Sequence, residues 1–511
     1  MLSRFISLLF LGCTAQSLTL LRGGTFITYS ESTSNLEIIT DGAMLFNDTI
    51  IAISNSTDGL DSHANDESVQ TVNTTGKIIS PGFIDTHRHT WQTAMRTLGP
   101  NVQLENYFWM FGSGGPAPLI LSPDDIHIAT LMGTLEALNA GVTTSLDFAH
   151  MTWTRAHAQA GLQGVIDSGA RVWWCYNVGP VVISGDPYTV NRSAPVDQLA
   201  HIRELAPNSP FNNGLVTLGI AADPPTVEII ETAQNSSVNL ITAHDVGGGK
   251  KRSDAFKDGD NVITEVNNLT PGNPTLNSSM AFVFAHASSL NPSEARLLRK
   301  FNQFVSITPE SEMHYGHGHP SSYLIQDQAS LGVDTHFTFS LDIIGQMRIW
   351  LQSTRLGLYQ ETLDKFEIPS NTPMSVRQAF LMGTRNGGLA LKRPDLGVLR
   401  EGAKADVLVF STDAIGLIGW SDPVAAIVLH SNVADIEDIY GDGNAGKLVV
   451  DWEGQGFADQ LRASAVKFRE AFAKTNISAF EEGIKLQGSL TDEDFQDPFE
   501  VDVTRGDGTG F

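Results

Sequence analysis

Pro81-Gly82-Phe83-Ile84-Asp85-Thr86-His87-Arg88-His89 is a short apolar run that ends in two histidines one residue apart. Strand side chains alternate between faces, so His87 and His89 project together from the strand's C-terminal end. In a parallel barrel that end is the catalytic face, and two converging imidazoles suit a divalent metal. A His-x-His pair alone is a weak signal and needs partners elsewhere in the chain. His244 follows Val238-Asn239-Leu240-Ile241-Thr242-Ala243, His286 follows Ala281-Phe282-Val283-Phe284-Ala285, and Asp334 closes Ser330-Leu331-Gly332-Val333. Each is the first metal-competent side chain after an apolar run. The step of 157 residues from His87 to His244 fits roughly four βα units of ~35–40 residues each. Strands one, five, six and eight then carry ligands toward one point above the barrel axis.

The surrounding texture agrees. From 79 to 390, strand-like runs such as Leu215-Val216-Thr217-Leu218-Gly219-Ile220 alternate with helical patterns. In the stretch from Asp125 to Ala140, for example, Ile128, Leu131, Met132, Leu135 and Leu138 recur at helical spacing. The fold class expected is α/β, a (β/α)8 TIM-type barrel over 79–390. On either side lie short segments of strand texture. Residues 18–78 include Thr49-Ile50-Ile51-Ala52-Ile53, and residues 391–455 include Lys404-Ala405-Asp406-Val407-Leu408-Val409-Phe410, Ala426-Ile427-Val428-Leu429 and Lys447-Leu448-Val449-Val450. These are read as two halves of one small composite β-sandwich into which the barrel is inserted. Residues 456–511 are read as an amphipathic helix followed by an acidic tail.

The chain has 511 residues, with 57 acidic against 32 basic side chains and a net charge of −25. That balance excludes nucleic acid and anionic membrane surfaces as partners, since both need clustered Lys and Arg. A small-molecule substrate is expected. At 41% apolar and 17% charged residues, the chain can bury a large core. Of the two cysteines, Cys13 and Cys175, the second is read as a buried, inert thiol. Residues 1–17 have the form of an export signal: Arg4, the apolar segment Phe5 to Leu11, and the small residues of Ala15-Gln16-Ser17. The other reading makes them the start of the first strand. Eight Asn-x-Ser/Thr sequons, at Asn47, Asn55, Asn73, Asn191, Asn235, Asn268, Asn277 and Asn476, support secretory passage with N-glycosylation.

Three longer stretches carry a family resemblance. Gly76-Lys77-Ile78-Ile79-Ser80 running into Pro81–His89, Leu135-Glu136-Ala137-Leu138-Asn139-Ala140-Gly141-Val142-Thr143-Thr144, and Gly402-Ala403-Lys404-Ala405-Asp406-Val407-Leu408-Val409 resemble the amidohydrolase superfamily. The branch is that of cytosine deaminase, adenosylhomocysteine deaminase and the triazine hydrolases. The resemblance implies a mononuclear centre with His87, His89 and His244 as metal ligands. It makes Asp334 the eighth-strand carboxylate that carries a proton, and sets His286 beside the reacting water. The metal it implies is one divalent ion, Zn²⁺ first and Fe²⁺ as the alternative. No lysine occurs in 215–222, where binuclear members carry a bridging one.

Two departures stand out. Deaminases of this branch carry His-x-x-Glu after strand five, whereas here the sequence is His244-Asp245-Val246-Gly247. Glu310 or Glu312, from the seventh loop, is expected to supply the missing acid if the reaction is a deamination. In the eighth strand Asp342 competes with Asp334, and Asp334 fits the strand end better. His150, Trp91, Gln92 and the group Tyr107-Phe108-Trp109 are read either as substrate contacts or as ordinary packing. His314, His317 and His319 are read as a Gly-rich substrate loop or a second metal site. The reaction expected is hydrolysis of a non-peptide C–N or similar bond in a small cyclic or aryl molecule. The alternatives are a heterocycle aminohydrolase, a lyase or isomerase on the same site, and a catalytically inactive binding protein. An exposed apolar face on the barrel helices would make the protein a homodimer.

Overall fold

The computed structural model describes residues 18–64, 66–246, 262–270, 272, 274–288, 290–317, 325–442, 444–445 and 455–486. Its centre is a parallel sheet of the strands β1 (Phe83–His89), β2 (Val142–Ala149), β3 (Arg171–Asn177), β4 (Val216–Ala221), β5 (Leu240–His244), β6 (Ala281–Ala285), β7 (Phe304–Ile307) and β8, the last in two segments, Ala329–Leu331 and Asp334–Thr335. Each strand pairs in parallel with the next. The second segment of β8 returns to β1, with Asp334 opposite Arg88 and Thr335 opposite His89, which closes the ring.

Closure depends on Gly332, which lies between the two segments of β8. A Cβ there would sit 2.7 Å from the His87 carbonyl oxygen, so only glycine lets β8 approach β1 this closely. Val333 donates its N–H to that same carbonyl at 3.1 Å. Ile84, Leu146, Phe148, Trp173, Cys175, Leu240, Val283 and Phe304 share one buried cluster. Above it Thr86 donates to Ser306 at 2.7 Å and lies 2.7 Å from the Ser330 hydroxyl. Cys175 is fully buried, and burial pushes its thiol well up, so it is an inert packing residue.

The two ends of the chain share an eight-stranded sheet. Ile78–Pro81 runs between Leu18–Ser30 and Val407–Phe410, with Ile78 opposite Phe410 and Pro81 opposite Val407. The first half of this sheet therefore extends to Pro81 rather than ending at residue 78. Two details differ from expectation. Ala426–His430 winds as a π-helix instead of extending as a strand, because a short apolar run carries no period that separates the two conformations. Lys447-Leu448-Val449-Val450 lies outside the described residues, as do residues 1–17 and the tail beyond 486.

Helix Phe457–Phe472 packs on helix Pro123–Asn139, where Ser464 donates to Asp125 at 2.7 Å and Lys467 pairs with the same carboxylate. Helix Ile477–Leu486, which the sequence reading missed, buries Phe480 and Ile484 against Trp109 and Val182. These helices brace the long connection after β1. Among the described residues no helix is long and apolar enough to cross a membrane.

Candidate metal centre

At the C-terminal end of β1 the chain is held rigidly. Asp85 and Arg88 form a fully buried pair, with Arg88 Nε donating to Asp85 Oδ2 at 2.9 Å, while Asp85 Oδ1 accepts the His87 N–H at 2.9 Å. Beyond the strand, Asp147 accepts the Thr90 N–H and hydroxyl at 3.0 and 2.7 Å. Between these clamps the rings of His87 and His89 lie 4.8 Å apart and nearly perpendicular.

Hydrogen bonds set the tautomers. His89 Nδ1 lies 2.9 Å from the Phe148 carbonyl oxygen, which can only accept, so Nδ1 carries the proton and Nε2 a lone pair. His244 Nδ1 is 2.8 Å from Asp223 Oδ2, and Asp223 Oδ1 takes the His244 N–H at 2.8 Å. That leaves His244 Nε2 as a second lone pair. The two Nε2 atoms face each other at 3.4 Å. Asp334 Oδ1 lies 2.9 Å from His89 Nε2 and 3.3 Å from His87 Nε2. His87 is fully buried, and neither of its ring nitrogens has a hydrogen-bond partner. Such atoms are costly to bury unmatched. Four ligands at ~2.0–2.1 Å in a tetrahedron are about 3.4 Å apart, so these spacings fit a divalent cation among His87, His89, His244 and Asp334.

His286 completes the ring of groups: ligand atoms of His87, His244, His286 and Asp334 all lie within 4.8 Å of one another. Burial pushes the His286 imidazole down to about 3, so it is neutral. Its Nδ1 is 2.8 Å from the Thr308 hydroxyl. Asp334 Oδ2 accepts from Ser311 at 2.5 Å. Both His286 (φ 72°) and Asp334 (φ 70°) adopt the left-handed backbone region, a strain that concentrates at functional sites.

The remaining expected residues divide. His150 lies beside the centre, its ring 4.3 Å from His89 and parallel to His244 at 5.5 Å, with a buried, unpartnered Nδ1. Trp91 and Gln92 are fully buried in the turn after β1; Trp91 packs edge-on against His150, and Gln92 donates to the Tyr107 hydroxyl at 3.0 Å. Trp109 faces the C-terminal helix instead. His317 stands edge-on to His286 at 4.8 Å, and His314 packs on Tyr315 and Phe339; His319 is outside the described residues. Asp342 caps helix Ile343–Leu363 through the Gly345 N–H. Glu310 is not brought to the centre: it is bonded to Gln346 at 3.1 Å. Two residues along the same helical turn point in different directions, and Glu312 is the one that turns inward. Its Oε1 accepts the Thr308 N–H at 2.9 Å and stands 3.6 Å from His286 Nδ1, and burial pushes its carboxyl up to about 7. Asp223, Thr308 and Ser311 were not singled out from the sequence, since Asp, Ser and Thr in loops after strands are too common to signal a role.

The family described as the Amidohydrolase family matches residues 78–451 of this chain. A 5-methylthioadenosine/S-adenosylhomocysteine deaminase of Thermococcus kodakarensis is 22% identical over 434 residues, covering 80% of this chain and 90% of its own. Among solved structures, an adenosine deaminase from Xanthomonas campestris with bound zinc superposes with a TM-score of 0.71 at 16% identity, over 89% of this chain and 98% of the other. An atrazine chlorohydrolase from Arthrobacter aurescens complexed with zinc gives 0.69 at 19% identity, over 88% and 100%.

Proposed function

This chain belongs to the amidohydrolase family, and from that premise we propose that it hydrolyses a non-peptide carbon–nitrogen bond of a small cyclic or aryl molecule. The observation that carries the reading is the convergence of His87, His89, His244 and Asp334 on one point, with two imidazole lone pairs 3.4 Å apart and both His87 nitrogens unmatched. A divalent cation, zinc in this proposal, would lower the pKa of water there from ~15.7 toward about 7 and polarise the scissile group. Asp223 and the Phe148 carbonyl hold the ligand imidazoles in the required tautomers. Asp334 takes a proton from the attacking water at its carboxylate and delivers it to the leaving nitrogen as the carbon–nitrogen bond breaks. His286, neutral and buried, faces the same point.

A second, narrower reading is an aminohydrolase of a nitrogen heterocycle, and the position of Glu312 favours it. A carboxyl with a pKa about 7 at the edge of the centre suits a group that protonates a ring nitrogen at neutral pH. The relatives named as deaminases support the same choice. His150, Trp91 and Gln92 form the substrate wall in either case.

The test is metal content by elemental analysis beside a His87→Ala/His89→Ala double variant, with circular dichroism to check its fold. Ammonia release is then measured on 5′-methylthioadenosine, adenosine and guanine, and alkylamine or chloride release on atrazine. About one metal per chain, lost in the folded double variant, supports the reading; a metal-free wild type after reconstitution refutes it. We further propose that the protein follows the secretory route. None of the eight sequon asparagines is buried, and a mass decrease on enzymatic deglycosylation of the native protein is the expected result.

A further inference from the structure

One turn of chain touches both reacting groups. Thr308 occupies the N-cap position of helix Pro309–His314, where a threonine hydroxyl ordinarily accepts an N–H of the helix's first turn. It makes no such bond; it lies 2.8 Å from His286 Nδ1 instead. Ser311, fully buried three residues on, lies in the helix's first turn, where the carbonyl four residues back belongs to β7 and is taken by the Gly332 N–H. The serine donates across the site to Asp334 Oδ2 at 2.5 Å. Both hydroxyls thus bond a residue of the centre, Thr308 being shared with Glu312, and both His286 and Asp334 hold left-handed backbone that something must maintain.

We propose that the Thr308 and Ser311 hydroxyls are positioning residues, which orient His286 and Asp334 for proton transfer. This inference rests on the reading of Asp334 as the proton carrier. Ser311 makes the two carboxylate oxygens unequal. Oδ1 faces His87 and His89, and Oδ2 is held by the serine. When Asp334 takes the water's proton at Oδ2, a water O–H bond breaks and a carboxyl O–H forms. The Ser311 hydroxyl turns from donor to acceptor, a change open to a hydroxyl and closed to a fixed N–H. Delivery of that proton to the leaving nitrogen restores the starting arrangement, with no net change at the serine. Thr308 does the parallel work on His286, fixing the ring so that its other nitrogen faces the reaction.

The test uses the full chain, loaded with Co²⁺ or Zn²⁺, as Ser311→Ala, Ser311→Thr and Thr308→Val. Ser311→Ala is expected to keep one metal per chain and an unchanged KM for 5′-methylthioadenosine, and to lose about 10–100-fold in kcat, the usual cost of removing an orienting partner. Ser311→Thr recovers most of the loss. The visible spectrum of the Ser311→Ala Co²⁺ protein at one fixed pH also departs from that of the wild type, a readout independent of turnover. Wild-type kcat together with an unmoved spectrum in Ser311→Ala overturns the inference. So does loss of the metal itself, which would make the serine merely structural. A wild type that binds no metal overturns the reading of the site, a result distinguishable from either.

Discussion

Gly332→Ala perturbs the centre without replacing any of the side chains proposed to hold the metal. The added methyl would meet the His87 carbonyl oxygen at 2.7 Å, and the His87 nitrogen and Cβ at 2.9 Å each, where ordinary contact begins at 3.4 Å. All three are backbone or near-backbone atoms with no rotamer to escape into. The second half of β8 must therefore retreat from β1 by about 0.5–0.7 Å, a strain of the kind that costs ~1–3 kcal/mol in a packed core. The Val333 N–H to His87 oxygen bond, now 3.1 Å, stretches past useful length. Asp334, two residues on, moves with it, and its 3.3 and 2.9 Å spacings to His87 and His89 open by a similar amount. Metal sites tolerate about 0.2 Å. The expected result is about a 10–100-fold loss of metal affinity, read by competition with a chromogenic chelator, with a lowered melting temperature and a retained far-ultraviolet spectrum. A Gly332→Ala protein with wild-type metal affinity would refute the argument that β8 is pressed against the ligand strand.

Three further outcomes follow from the geometry. Asp223→Asn removes the anion that holds the His244 N–H, and metal affinity should fall ~10–100-fold in the same competition assay. Glu312→Gln should lower ammonia release from a heterocycle by about 10²–10⁴-fold, while Glu310→Gln, bonded to Gln346 outside the centre, should stay near wild type; equal losses would contradict the assignment. For Asp125 burial acts upward, but Lys467, Ser122 and Ser464 overcome it and bring the carboxyl down to about 2. A depressed carboxyl stabilises the fold above its unfolded pKa near ~4, and that contribution is lost as pH falls from ~4 toward about 2. With the lysine partly exposed, ~1–2 kcal/mol is expected. Urea unfolding of Asp125→Asn should show this gap at pH 7 and a shrinking one below pH 4.

The clustering of the site residues was legible because a parallel barrel obeys a strict rule: polar residues that end its strands meet at one face. His87, His89, His244, His286 and Asp334 each follow an apolar run; the structure clusters His87, His244, His286 and Asp334 and sets His89 against Asp334 and His244. What the sequence could not carry was direction around a helical turn. Glu310 and Glu312 differ by two positions in a helix only six residues long, too short for a period to show which one faces inward. Asp223, Thr308 and Ser311 escaped for another reason. Their role comes from which loops become neighbours, and composition holds no trace of that. The run 426–429 was misread because four apolar residues suit a strand and a turn of helix equally.

The strand Ile78–Pro81 has neighbours on both sides only when Val407–Phe410 joins it. A ribosome making ~5–20 residues per second needs roughly 16–66 s to travel from one to the other. For that interval the emerging chain carries Ile78 and Ile79 on an open edge, ahead of a barrel that is still being synthesised. Any messenger truncated before codon 407 yields a product whose edge never closes, and such an edge invites pairing with another chain.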